Sequence, residues 1–171
     1  MADRQPARSV DNGAGPGYVL AGVVVDFFRG LGTGLTSTTR RFAAGASFLL
    51  VEDDAVIAMM TELMLADAGA DDIVIAGSVA NAMALVASRA FDVAIFDRQL
   101  GDGISYPAAV EACRKGTAII VATGSHGLDL PAELAEAIVL PKPFALTQLE
   151  HAVTQARALV STQASSRQSR S

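Results

Sequence analysis

Asp97 ends the apolar run "DVAIFD", and Glu52, Asp53 and Asp54 follow another such run, "FLLV". Two further polar residues stand just past apolar runs: Thr123 closes "AIIVAT", and Lys142 lies just beyond "AIVL". Adjacent carboxylates repel one another and each resists desolvation, so a cluster at a strand end needs solvent or a cation to offset it. Taken alone, the triplet fits a solvated turn whose last acid caps the next helix equally well, and Asp54 reads as such a cap. The company of Asp97, Thr123 and Lys142 points further. Hard oxygen ligands suit Mg²⁺, which keeps several waters beside one or two carboxylates. With its charge offset by the metal and Lys142, Asp97 can attack a phosphoryl group and form an aspartyl phosphate. Metal and ammonium would then neutralise phosphoryl oxygens, with the Thr123 hydroxyl donating to a third. The chain holds only two lysines, Lys115 and Lys142, and the second stands between two prolines, which sets it apart from a scattered surface charge.

These residues need elements that bring them to one place. "SFLLV", "DIVIA", "DVAIFD", "AIIVAT" and "AIVL" read as five short buried strands. Helical stretches alternate with them. "AVIAMMTELMLADAG" closes on Gly69, "VANAMALVASRA" follows the cap residue Ser78, and "PAAVEACRK" opens on Pro107 and ends at Gly116. "PAELAEA" makes a short helix, and the last helix, "LTQLEHAVTQARALV", opens with Thr147 and Glu150 spaced as a capping box. Such alternation predicts a doubly wound, five-stranded parallel sheet of the α/β class, covered on both faces. Ligands of such sheets bind at the carboxyl ends of the strands, where the polar residues fall.

Charge narrows the partners. Residues 46–159 carry 15 acids against six bases, a net of −9, while residues 1–45 and 160–171 each sum to +2. A domain at −9 repels the phosphate backbone, which excludes direct nucleic-acid binding for this part of the chain and leaves cations and proteins. The lone Cys113 cannot form an internal disulfide, which fits a reducing, cytoplasmic setting. No run reaches the roughly 18 apolar residues of a membrane span, because Asp26 and Arg29 interrupt "GYVLAGVVVDFFRG". Residues 1–45 are expected to be a flexible extension with room for a short apolar helix at 18–31, residues 46–159 the domain, and residues 160–171 a disordered polar tail.

"LLVEDD", "DVAIFD", "VATG" and "LPKPF", in that order and within a five-fold alternation, resemble the receiver domain of two-component response regulators over about residues 46–158. The resemblance implies a flavodoxin-like (βα)5 fold with Asp97 taking a phosphoryl group from a histidine kinase or phosphotransfer protein. It implies Asp53 as a direct Mg²⁺ ligand, Glu52 as one acting through water, and Gln99 as one through its backbone carbonyl. Thr123 and Lys142 would bind the phosphoryl group, and the Lys142–Pro143 bond would be cis. Three stretches depart from the family pattern. Val139 stands where an aromatic switch residue is usual. "VATGSH" is similar to a branch whose signature reads Phe-Ala-Thr-Gly-x-Tyr, with Val121 and His126 replacing both aromatics and the fourth helix shortened. "DRQLGDG" puts a Gly-rich loop after Asp97, with Asp102 in a turn.

Tyr106 is expected to pack beside Pro107, and His151 to sit on the surface of its helix. The chain then reads as a single-domain regulator that is not a conventional enzyme. It signals by binding, through the face of the fourth helix, fifth strand and fifth helix, or by passing phosphate onward. The alternatives are an Asp-nucleophile phosphohydrolase of haloacid dehalogenase type, which wants an acid at Gln99, and a receiver that acts as an unphosphorylated scaffold.

Overall fold

The computed structural model describes residues 41–124 and 129–168. The expected extension over residues 1–40, His126 and residues 169–171 lie outside them. The chain runs β1 (Ser47–Val51), α1 (Ala55–Asp67), β2 (Asp72–Ala76), α2 (Val79–Ser88), β3 (Val93–Asp97), β4 (Gln99–Leu100) and β5 (Gly103–Ile104). It continues with α3 (Tyr106–Arg114), β6 (Ala118–Thr123), a 3-10 turn (Ala132–Leu134), β7 (Ile138–Pro141) and α4 (Leu146–Gln168). Five strands form a parallel sheet in the order β2-β1-β3-β6-β7, and β4 and β5 form a small antiparallel hairpin apart from it.

Alternation along the strands divides the core into two layers. Phe48, Leu50, Ile95 and Ile120 pack with Leu65 of α1 and Leu149 and Val153 of α4. Their neighbours Leu49, Val51, Phe96 and Val121 pack on the other face with Val86 of α2, Ala109 of α3 and Leu134 of the 3-10 turn. With both faces covered, the strands read as unbroken apolar runs. The order also makes β1 and β3 neighbours whose onward connections diverge, one toward β2 and the other toward β6. That divergence opens a crevice at their carboxyl ends.

Local chemistry sets the element ends. Asp54 Oδ1 accepts from the amides of Val56 and Ile57 at 2.9 and 3.0 Å, and Ser78 Oγ accepts from Asn81 at 3.1 Å. Gly69 takes a left-handed φ of +98° just past α1, where a side chain would be strained. The start of α4 departs from expectation. Ala145 stands before its first turn and Gln148 Oε1 accepts from the Ala145 amide at 2.7 Å, while Glu150 pairs with Arg41, so Thr147 and Glu150 form no capping box. The segment "PAELAEA" folds only one 3-10 turn.

Packed structure continues past both expected domain edges. The polar tail continues α4 as far as Gln168: the hydroxyls of Ser161, Thr162 and Ser165 donate to carbonyls one turn back, and Val160 packs partly on the core. At the other end Phe42, placed in the extension by its sequence, is 5% exposed and its ring lies 5.2 Å from that of Phe48. The Arg41 amide donates to Ala68. Truncation of a buried aromatic typically costs 3–5 kcal/mol, so Phe42→Ala is expected to lower unfolding free energy by about 3 kcal/mol in urea titration, where an unpacked extension would show no change.

The lower edge of the sheet is tied by Asp92, whose Oδ2 accepts from the Ser47 amide and hydroxyl, each at 2.8 Å. The backbone amide foremost, then the hydroxyl and Arg157, hold its carboxyl below the usual range against the opposing effect of burial. A carboxyl depressed in the fold stabilises it above the unfolded pKa of about 3.9 and loses that contribution as pH falls through the lower folded value. Asp92→Asn should therefore flatten the acid limb of stability measured between about pH 5 and pH 2.

Candidate functional site

Glu52 and Asp53 follow β1 directly, Asp97 ends β3, Thr123 ends β6 and Lys142 follows β7. The parallel register aligns these ends, pairing Val51 with Phe96, Asp97 with Ala122 and Thr123 with Pro141. One oxygen from each of Glu52, Asp53 and Asp97 lies within 4.8 Å of the others. Lys142 Nζ donates to Glu52 Oε2 at 2.5 Å and to Asp97 Oδ2 at 2.7 Å. Its own amide donates to the Thr123 carbonyl at 2.8 Å, so backbone and side chain both bind this end of the sheet. The Lys142–Pro143 bond is cis.

Each carboxylate is held differently. Glu52 is buried, and burial raises its pKa, with the Asp97 charge adding to that and Lys142 opposing it. Burial by itself would discharge Lys142, but its bonds to Asp97 and Glu52 outweigh it and raise the ammonium pKa. Asp97 Oδ1 accepts from the Gln99 amide at 3.1 Å. Asp53 is exposed, and its Oδ2 accepts from the Gly101 amide at 2.7 Å. The Gln99 side chain is no acid and donates to the Leu100 carbonyl at 3.3 Å. Thr123 is buried, 4% exposed, one residue beyond the partner of Asp97.

Other residues singled out by sequence lie elsewhere. Val139 is 41% exposed on the edge strand β7, and His151 sits on α4 beside it, in a groove also lined by Ile138, Thr147 and Gln155. Cys113 Sγ contacts the Glu133 carbonyl at 3.5 Å. Tyr106 packs into the core layer on the α2 and α3 side, and among the described residues its buried hydroxyl, like Ser105 Oγ and Arg98 Nε, makes no hydrogen bond. The sequence of the hairpin announces only a Gly-rich loop. Its tip residue Asp102 accepts from the amides of Val79 and Ala80 at 2.9 and 3.3 Å, a contact across 23 residues that turn chemistry at Gly101 and Gly103 does not announce.

Among the described residues three carboxylates meet one ammonium, which leaves the site short of positive charge. An octahedral Mg²⁺ with bonds near 2.1 Å spans about 4.2 Å between opposite ligands. The acidic oxygens, within 4.8 Å of one another, lie close enough together to share such an ion. Like charges about 5 Å apart repel by roughly 3 kcal/mol at an effective dielectric near 20, which screening at the exposed Asp53 reduces to about 1 kcal/mol. Asp53→Asn is thus expected to raise thermal stability in chelator by about 1 kcal/mol. Adding Mg²⁺ should stabilise the wild type further but leave the variant unchanged, as read by calorimetry.

Among the described residues no helix is long and apolar enough to cross a membrane. The family described as response regulator receiver domain matches residues 48–154. Comparison with curated proteins returned no match. Among solved structures the chain is similar to a CheY-like receiver domain protein of Methanospirillum hungatei JF-1, at 24% identity and a TM-score of 0.61, covering 69% of this chain and 98% of that one. A response regulator receiver protein of Sinorhizobium medicae WSM419 gives 25%, 0.60, 68% and 98% in the same terms. SdrG of Sphingomonas melonis Fr1 gives 29%, 0.58, 67% and 98%. With the receiver fold, the order of strand-end residues and the family match in agreement, the chain belongs to the response regulator receiver domain family of two-component signalling.

Proposed function

We propose that this protein is a single-domain response regulator whose phosphoacceptor is Asp97, within a receiver domain extending over residues 46–159. The observation that carries this reading is the Lys142 ammonium bonded at once to Asp97 and Glu52. In the reaction an Asp97 carboxylate oxygen attacks the phosphorus of a phosphohistidine on a histidine kinase or phosphotransfer protein. The P–N bond breaks, and the imidazole leaves with its electron pair. Gln99 holds Asp97 Oδ1 through its amide, orienting the attacking carboxylate. Lys142 exchanges a carboxylate partner for a phosphoryl oxygen, and the Thr123 hydroxyl donates to another.

Asp53 and Asp97 would hold Mg²⁺ directly, Glu52 through water and Gln99 through its backbone carbonyl. Bound there, the ion would neutralise charge on the phosphoryl oxygens as they pass from donor to acceptor. A phosphohydrolase of haloacid dehalogenase type is disfavoured, because Gln99 stands where its second acid belongs. The protein works by changing its affinity for a partner, and we assign that output to the surface around β7, the 3-10 turn and the first turns of α4. Such a relay implies a cytoplasmic setting, and the net charge of −9 over residues 46–159 argues against direct contact with nucleic acid.

Intact-mass spectrometry after incubation with a small-molecule phosphodonor tests the reading. Wild type with Mg²⁺ is expected to gain one phosphoryl group, and none without Mg²⁺ or in Asp97→Asn. A folded wild type that gains nothing from several donors or from phosphorylated kinases would favour the scaffold. Continued release of inorganic phosphate over many turnovers would revive the phosphohydrolase.

A further inference from the structure

The hairpin after β3 lies between the acidic site and the start of α2. On one side its Gly101 amide donates to Asp53 Oδ2 at 2.7 Å, and a Cβ at Gly101 would come 3.4 Å from the same oxygen. On the other side both carboxylate oxygens of Asp102 accept amides of the first turn of α2, Val79 and Ala80. Those amides have no partner within the helix, and Ser78 takes the third, from Asn81. The hairpin itself pairs only two residues per strand, too few to hold a shape alone. Leu100 anchors its base in the core and the Ser105 amide closes that base on the Arg98 carbonyl, so the contacts of Gly101 and Asp102 are what hold its tip.

Asp53 needs such support. It is exposed, and the charges of Glu52 and Asp97 push it toward solvent, whereas Lys142 bonds those two acids and not Asp53. The Gly101 amide is the hydrogen bond that opposes this, and the next residue in the chain is Asp102, held on α2. The far end of the tie is firm, since α2 buries Ala82 and Val86 against the sheet.

We propose that Asp102 is a positioning residue for the metal site: by fastening the hairpin to the N-terminus of α2, it keeps the Gly101 amide on Asp53 and so sets the orientation of that ligand. The proposal rests on the reading of Asp53 as a Mg²⁺ ligand. Partners one step behind a metal ligand commonly change affinity by about 10- to 100-fold when removed.

The test is calorimetric titration of the full 171-residue chain with Mg²⁺, in wild type, Asp102→Ala, Asp102→Asn and Ser78→Ala. Asp102→Ala is expected to bind Mg²⁺ about ten-fold more weakly. Asp102→Asn, which keeps one acceptor oxygen, should fall between it and wild type. Ser78→Ala removes the other cap of the same helix without touching the hairpin, and should lose thermal stability while keeping wild-type affinity. If Asp102→Ala does not fold, the intermediate affinity of Asp102→Asn carries the test. Wild-type affinity in a folded Asp102 variant, or equal weakening in Ser78→Ala, would overturn the positioning role and leave the metal site standing. No Mg²⁺ binding by wild type would overturn both.

Discussion

One ammonium between two carboxylates governs this end of the molecule. Lys142 follows β7, the outermost strand, yet bonds Asp97 on β3 and Glu52 beyond β1, so the contact reaches across four strands of the sheet. It forms only if every intervening register is correct. Pairing half-buried charges contributes little net stability, because desolvation offsets attraction, but removing one partner leaves the others buried and unpaired. Lys142 therefore makes the acidic cluster affordable without neutralising it. The shortfall of positive charge leaves room for a cation among these carboxylates.

The sheet was legible because its strands are buried on both faces. Five short apolar runs appear as such in the sequence, and β1, β2 and β6 begin and end at the residues expected. Once the runs are strands of a parallel sheet, the polar residues that follow them must gather at one edge, so Glu52, Asp53, Asp97, Thr123 and Lys142 were found together. Caps at Asp54 and Ser78 were legible for the same reason: each bonds amides within three residues.

What stayed hidden depends on contacts between remote residues. Phe42 stands alone among Arg, Ala and Gly, with no periodicity to mark it as core, and only its packing against Phe48 reveals it. The cap of α4 shifted because Glu150 found Arg41, a residue 109 positions away. The polar end of that helix looked like a tail because the Ser and Thr hydroxyls that satisfy themselves within a helix are the same ones that favour coil. Asp102 offered a turn signal and nothing more, since its acceptor role depends on where α2 begins.

The 3-10 turn between β6 and β7 has a consequence for the layering of the fold. Elsewhere the sheet is the middle of three layers, but Val139, which pairs with Val121 and so faces the α3 side, is 41% exposed where Val121 is fully buried. Among the described residues the fold thins to two layers at β7. Interior positions are limited in volume by close packing from both sides. Among the described residues no third layer covers residue 139, so bulk and polarity there can vary with what the edge meets, a latitude that its paired neighbour on β6 does not have.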